Sequence, residues 1–141
     1  MKKKYTGSCH CGAVRFECEL DLAEGTSKCN CSICSKSRFW KAIVKKDAFQ
    51  LLEGEGALSD YQFGNHSIHH LFCSRCGVKP FGLAHLDIPD FRGERLVGDY
   101  YAVNVASLDD ATTDELANAP VRYEDGRNNH WESPPAETRY L

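Results

Sequence analysis

The chain has 141 residues, a formal net charge of −3 and eight cysteines. This length favours one domain, spanning residues 1–141, with a modest core that a bound metal would help to stabilise. The slight negative charge argues against a general nucleic-acid-binding surface, and no stretch is long and apolar enough to predict a membrane span.

The N-terminus begins with three lysines, Lys2 to Lys4, which we expect to form a solvated tail rather than a binding patch. No apolar segment follows them, so the sequence has no pattern of a secretory signal. We therefore expect a cytoplasmic protein, whose cysteines stay reduced.

The first predicted strand runs from Ala13 to Leu20, where apolar and charged residues alternate. Its inward face would carry Val14, Phe16 and Cys18. We therefore interpret Cys18 as a thiol of the core and not as a metal ligand.

Further short strands are predicted by alternation and by β-branched or aromatic content at residues 39–44, 50–53, 58–63, 67–73, 80–86 and 100–106. Residues 21–28 predict a surface turn, residues 87–99 a loop, and the segment from Pro120 onward no regular structure. One helical turn is predicted at residues 113–117 with Thr113 as its N-cap. Many short strands between glycine and proline turns indicate a mostly β fold.

Two adjacent histidines lie in the predicted strand at residues 67–73. Because side chains alternate along a strand, one of His69 and His70 should face inward and the other outward. At most one of them is therefore well placed for a metal or a proton.

Seven of the eight cysteines fall into three clusters, Cys9-x-Cys11, Cys29-x-Cys31-x-x-Cys34 and Cys73-x-x-Cys76. A structural zinc takes four protein ligands, whereas a catalytic zinc commonly takes three and keeps one open position. The first and last pairs each end in a glycine that permits a tight chelating turn. We therefore predict a closed site from the two pairs and an unsaturated site, on a bent loop, from the middle cluster. The closed set is Cys9, Cys11, Cys73 and Cys76, and the open set is Cys29, Cys31 and Cys34.

Three other interpretations of the cysteines stay open at this point. The even count could reflect disulfides, although a reducing compartment disfavours them. The middle cluster could be a second structural zinc site, completed by His10, His69 or His70. Iron–sulfur ligation is also conceivable, but the spacings match neither ferredoxin pattern.

Three motifs carry a resemblance to a known family: Gly7 to Val14, Cys29 to Cys34, and Phe72 to Gly77 followed by Pro80-Phe81. In this order they resemble the glutathione-dependent formaldehyde-activating enzymes, also called the centromere protein V domain family. The resemblance extends from about Tyr5 to Asp125. It implies a β-tent sandwich of short antiparallel strands pinned by zinc, with two zinc ions per chain. It also implies a structural zinc in the four-cysteine set and a catalytic zinc in the three-cysteine set.

The family's activity implies a carbon–sulfur lyase or synthase that adds a thiol, such as glutathione, to formaldehyde or another small aldehyde. The expected partners are therefore a small thiol and an aldehyde, with Cys29, Cys31 and Cys34 as the catalytic residues. A proton donor is also needed, and the candidates are His10, His69, His70 or water. No set of lysines or arginines in the sequence can be tied to the glutathione carboxylates.

Two other functions remain as alternatives. The domain could be a non-catalytic, zinc-stabilised β module that binds a protein partner. It could also be a redox or electrophile sensor that uses the middle cluster as free thiols.

Overall fold

A computed structural model describes residues 1–90 and 92–141. The fold is mostly β, as predicted, with short strands in two sheets. The strands are β1 (Lys3–Ser8), β2 (Arg15–Leu20), β3 (Thr26–Cys29), β4 (Lys41–Lys45), β5 (Phe49–Glu53), β6 (Leu58–Tyr61), β7 (Ile68–Cys73), β8 (Phe81–Pro89), β9 (Arg95–Asn104) and β10 (Val121–Glu124). The α-helices are α1 (Ser32–Ser37) and α2 (Thr113–Asn118), and 3-10 turns lie at Leu22–Glu24, Lys46–Ala48, Glu55–Ala57, Val105–Ser107 and Gly126–Asn128. Within the described chain, no helix is long and apolar enough to cross a membrane.

The two sheets pack face to face through aromatic side chains. The small sheet has the order β1-β2-β5, and the large one has the order β10-β3-β4-β9-β8-β7-β6. Phe16 of the small sheet lies between Phe49, at 5.3 Å, and Phe81 of the large sheet, at 5.5 Å between ring centroids. Cys18 is 2% exposed in the same core, which confirms its predicted position. Both sheets therefore share one hydrophobic core.

The prediction of a loop at residues 87–99 is wrong for most of this segment. Strands β8 and β9 continue as a long hairpin, paired from Phe81 with Val103 out to Pro89 with Arg95. The ion pair between Arg95 and Asp87, at 2.6 Å, bridges the two strands near the tip. Phe91, which the same prediction included, lies outside the described residues. Pro89 is the last residue of β8 and Gly93 lies between the two strands, so only Gly98 lies inside a strand.

The predictions for two segments near the middle cysteine cluster also need correction. Strand β3 (Thr26–Cys29) begins inside the predicted turn at residues 21–28, and residues 121–124, predicted as irregular, form β10. The two strands pair in parallel, Val121 with Thr26 through Glu124 with Cys29. Neither strand has a strong sequence pattern of its own. Each is held in place by a partner strand more than 90 residues away in the chain. Their pairing places the C-terminal segment beside Cys29.

Two local predictions at polar segments are wrong in part. Lys3 and Lys4 are exposed but lie in β1, where Lys3 pairs with Glu115 at 2.7 Å. Helix α2 is capped by Thr112 and not by Thr113, because the Thr112 hydroxyl accepts from the Glu115 amide at 3.1 Å. Glu115 completes a capping box by accepting from the Thr112 amide at 3.0 Å.

Candidate metal centres

The four-cysteine set comes together where the two sheets meet. Cys9 follows β1 of the small sheet, and Cys73 ends β7 of the large sheet. The Sγ atoms of Cys9 and Cys11 are 3.7 Å apart, as are those of Cys11 and Cys73. All four sulfurs, including that of Cys76, lie within 4.8 Å of one another. Ligands at ~2.3 Å from a tetrahedral zinc are separated by about 3.8 Å, so the set fits this metal closely.

Backbone amides lower the pKa of Cys73 and Cys76. At Cys11 a hydrogen bond from the Ala13 amide is outweighed by burial and the neighbouring thiols, which raise its pKa to about 11. The amide of Val14 donates to Cys9 Sγ at 3.3 Å, and that of Arg75 donates to Cys73 Sγ at 3.4 Å. Hydrogen bonds from the Val78 and Cys11 amides lower the pKa of Cys76 to about 6. Gly77, at φ 77°, makes the tight turn between Cys76 and Val78, whose amide donates to Cys76. Because metals bind the thiolate form of cysteine, these hydrogen bonds favour cation binding by the four-cysteine set.

The three-cysteine set lies at the junction of β3 and α1. Cys29 ends β3, Cys31 is the N-cap of α1, and Cys34 lies in the first turn of that helix. The predicted bent loop is thus partly helical. The three sulfurs lie within 4.8 Å of one another, and the Cys31 amide donates to Cys29 Sγ at 3.4 Å.

Each sulfur of this set, once ionised, opposes the ionisation of its neighbours. Hydrogen bonds from Cys29 and Cys34 lower the pKa of Cys31 to about 2. The pKa of Cys29 is raised, chiefly because its thiol hydrogen-bonds to Cys31 and then to Cys34. One thiolate therefore suppresses ionisation of its neighbour, and a bound metal cation would remove that conflict. The donor set suits zinc, which favours thiolate ligands.

No fourth protein ligand joins this set within the described residues. No further histidine, cysteine, aspartate or glutamate has a ligand atom in the group, and His10, His69 and His70 join neither set. Cys29 and Cys34 instead border a small cavity, whose other lining residues are Lys28, Ser35, Arg38, Phe39 and Leu141. A metal held by this set would keep a coordination position for a non-protein ligand.

Two lysines that sequence analysis missed lie close to the three-cysteine set. Lys41, on β4, forms a short ion pair with Glu124 of β10. Burial lowers the pKa of Lys41, but the negative charges of Glu124 and Cys34 outweigh it, so the pKa is raised. Lys79 also interacts with the charges of Cys34 and Cys31, yet burial dominates and lowers its pKa to about 8. The only sequence signal was a lysine placed inside an otherwise apolar stretch in each case.

The two adjacent histidines of β7 face opposite ways, as predicted. His70 is 6% exposed, whereas His69 is more accessible and pairs with Asp60 at 2.7 Å. His70 Nδ1 accepts a hydrogen bond of 2.7 Å from Lys79 Nζ, and the ring of Phe63 stacks on His70 at 5.5 Å. Burial, with the Lys79 charge, lowers the pKa of His70 to about 4. Among the described residues, its buried Nε2 atom has no hydrogen-bond partner.

The C-terminal segment packs directly against the three-cysteine set. The backbone N–H of Asn30 donates to the backbone carbonyl of Glu124 at 3.2 Å. A Cβ atom added at Gly126 would lie 2.5 Å from Cys29 Sγ and 2.6 Å from the Trp131 ring. Only glycine fits at this point, because the backbone itself covers the sulfur.

Comparison with known proteins agrees with this geometry. The model of the glutathione-dependent formaldehyde-activating enzyme (GFA) family matches residues 4–124. The chain belongs to the GFA family. A crystal structure of a Rhodobacter sphaeroides protein has the same fold as this GFA chain, with a TM-score of 0.65 and 30% sequence identity. The match covers 83% of this chain and 99% of the other.

Proposed function

We propose that the protein is a zinc-dependent carbon–sulfur lyase or synthase, which joins a glutathione-like thiol to formaldehyde or another small aldehyde. The observation that carries this proposal is the division of seven cysteines into a group of four and a group of three. The group of three has no fourth protein ligand in the described part of the chain. Membership of the GFA family supports the substrate class.

The two groups would have different tasks. We assign Cys9, Cys11, Cys73 and Cys76 to a structural zinc, since they link the two sheets and fill a tetrahedral shell. We assign Cys29, Cys31 and Cys34 to a catalytic zinc. When bound there, Zn²⁺ supplies a positive centre for a thiolate sulfur or an aldehyde oxygen.

The residues around the three-cysteine set would hold the two substrates together. Lys41 places positive charge beside the three sulfurs, and Lys79 adds an amine whose pKa burial lowers to about 8. The pairing of Lys41 with Glu124 fixes β10 against the site. Confining a thiol and a carbonyl in one place converts their encounter into a local reaction, which is a major source of rate enhancement.

We also propose that residues 1–141 form one domain that acts in the cytoplasm on small molecules and not on nucleic acid. The shared core of the two sheets supports the single domain. The negative net charge of −3 supports the absence of a nucleic-acid surface.

Zinc analysis of cysteine variants tests the division of tasks. The wild type should hold two zinc ions per chain, and a mild chelator should remove one without unfolding. Cys31→Ala should retain one zinc and stay folded, whereas Cys76→Ala should be strongly destabilised, because a structural zinc contributes directly to folding. Cys18→Ala, at the cysteine outside both sets, is the matched control and should retain both ions. The division is wrong if Cys31→Ala melts as early as Cys76→Ala.

A rate measurement tests the reaction itself. Exchange between ¹³C-formaldehyde and its glutathione adduct, followed by NMR, should be faster with the wild type than without protein, and Cys31→Ala should abolish the difference. A panel of other thiols and small aldehydes would define the substrate range. If no pair is accelerated and the second zinc leaves only on unfolding, the domain is a zinc-stabilised binding module instead.

A further inference from the structure

Lys79 is a half-buried cation that forms no ion pair with a carboxylate in the described structure. Its ammonium lies 4.2 Å from the centroid of the Phe39 ring and 2.7 Å from His70 Nδ1. The charges that act on it come from Cys34, Cys31 and Lys41, and none is a carboxylate. Lys41 differs, because Glu124 neutralises it. Desolvated lysines of this kind are suited to proton transfer, since burial brings their titration toward neutral pH.

The surroundings of Lys79 connect it with the three-cysteine site. Phe39, on which the ammonium rests, lines the cavity beside Cys29 and Cys34. The Phe39 amide also donates to the Cys34 carbonyl at 3.2 Å, which ties the ring to α1. The same aromatic residue therefore contacts the lysine and borders the sulfurs.

We propose that Lys79, oriented by His70, carries the proton between the thiol and the aldehyde oxygen in the reaction proposed above, on which this inference rests. The incoming thiol gives its S–H proton to the neutral Lys79 amine. The resulting thiolate sulfur bonds to the carbonyl carbon, and the π electrons of the C=O bond move to oxygen. That oxygen takes the proton back from the Lys79 ammonium, which gives a hydroxyl and restores the amine. Thiol and aldehyde become one hydroxyalkyl thioether, and no oxidant or further reactant is needed.

His70 is a positioning residue in this scheme. Because its Nδ1 accepts from Lys79, a neutral His70 must carry its proton on Nε2. Burial and the adjacent Lys79 charge keep it neutral by lowering its pKa to about 4. His70 is therefore a fixed acceptor that holds Nζ in one direction while the amine gains and loses its proton.

Kinetics of Lys79 variants provide the first test. In zinc-loaded protein, Lys79→Met should lower kcat about 100-fold or more, as expected for loss of an acid–base group, with little change in KM for the thiol. Added ethylamine should restore part of the rate, which a merely structural role would not predict. Lys36→Met, which removes an exposed lysine of α1, is the control and should leave the rate unchanged. His70→Leu should slow the reaction, and His70→Asn should recover it, since the Asn oxygen can replace Nδ1 as acceptor.

A second measurement does not depend on turnover. NMR titration of ¹³C-labelled lysines should place the pKa of Lys79 below the ordinary lysine value of 10.5, because its side chain is desolvated, and His70→Leu should shift it. The groups to hold constant are those that act on Lys79 from its neighbours: His70 on β7, Lys41 on β4, and Cys31 and Cys34 at α1.

The outcomes separate the two proposals. A wild type that accelerates no thiol–aldehyde pair overturns the proposed function, and the role of Lys79 with it. If the wild type is active but Lys79→Met is equally fast, or Lys79 titrates at the ordinary lysine value of 10.5, only the assignment of Lys79 is wrong.

Discussion

Asn30 and Asp125 form a buried hydrogen bond, with Asn30 Nδ2 donating to Asp125 Oδ1 at 2.8 Å across 95 residues of sequence. The Asn30 side-chain oxygen accepts from the Arg127 amide at 2.9 Å, so both ends of its amide group are satisfied. Asn128 Nδ2 donates to the same aspartate, at 3.0 Å from Oδ2. Asn30 lies between two proposed metal ligands, and its side chain therefore joins the three-cysteine set to the C-terminal segment.

Asn30→Ala should loosen the C-terminal segment and weaken the three-cysteine site. The substitution leaves the Arg127 amide without its acceptor and removes one donor from a buried carboxylate, which costs about 1–3 kcal/mol. Urea unfolding should detect this loss, and a competing chelator should remove the more labile zinc faster than from the wild type. Asn118→Ala, which changes an exposed asparagine of α2 with a local hydrogen bond, is the control. Equal chelation rates in both variants would mean that Asn30 does not support the site.

Gly126→Ala should disturb the same site by steric conflict. The new Cβ would lie 2.5 Å from Cys29 Sγ, and such overpacking costs about 1–3 kcal/mol. We expect a lower zinc content in the three-cysteine set and a lower melting temperature. Gly56→Ala is the matched control, because a Cβ there meets nothing within 4 Å and its effect should stay within about 0.5 kcal/mol. Identical zinc content in the two variants would contradict the packing of Gly126 on Cys29.

Burial of neutral His70 should make the fold sensitive to acid. Its pKa is lowered from 6.5 to about 4, so the unfolded chain takes up this proton before the folded one does. The resulting loss of unfolding free energy is absent above pH 6.5, grows as the pH falls, and is complete near pH 4. His70→Asn keeps the acceptor but cannot titrate, so its unfolding free energy should fall less than that of the wild type between pH 7.5 and 5.

Comparing the two zinc-loaded proteins by urea unfolding removes the contribution of the cysteines, because both proteins share them. His66→Asn, at an exposed histidine with φ 58°, serves as control, since Asn tolerates this conformation. It should follow the wild type at every pH. The same acid response in wild type and His70→Asn would refute the contribution of His70.

Thr112→Ala should destabilise helix α2 by about 1 kcal/mol, because the hydroxyl of this N-cap accepts from the Glu115 amide. Thr113→Ala, one residue further into the helix, should have a much smaller effect. Thermal melts of the pair decide the assignment. A larger loss at Thr113 would favour the cap predicted from sequence.

The sequence was informative where a signal is local. Ligand chemistry and spacing grouped the seven cysteines as the structure places them, and alternation located the buried face around Phe16 and Cys18. Strands β3 and β10 were missed because their pairing depends on residues far apart in the chain. Lys41 and Lys79 were missed for the same reason, since a lysine acquires an unusual environment only when distant strands enclose it. The N-cap error at Thr113 was avoidable, because Glu115 lies three residues after Thr112, which is the spacing of a capping box.

The positions of the two cysteine sets along the chain have a consequence for biosynthesis. The four-cysteine set is complete once Cys76 has left the ribosome, whereas Gly126, which covers Cys29, emerges about fifty residues later. All four sulfurs of the first set have therefore been synthesised, and can meet a metal, while Cys29 is still uncovered. A nascent chain that stops short of β10 should therefore react with thiol reagents at the three-cysteine set, and completion of the chain should protect Cys29.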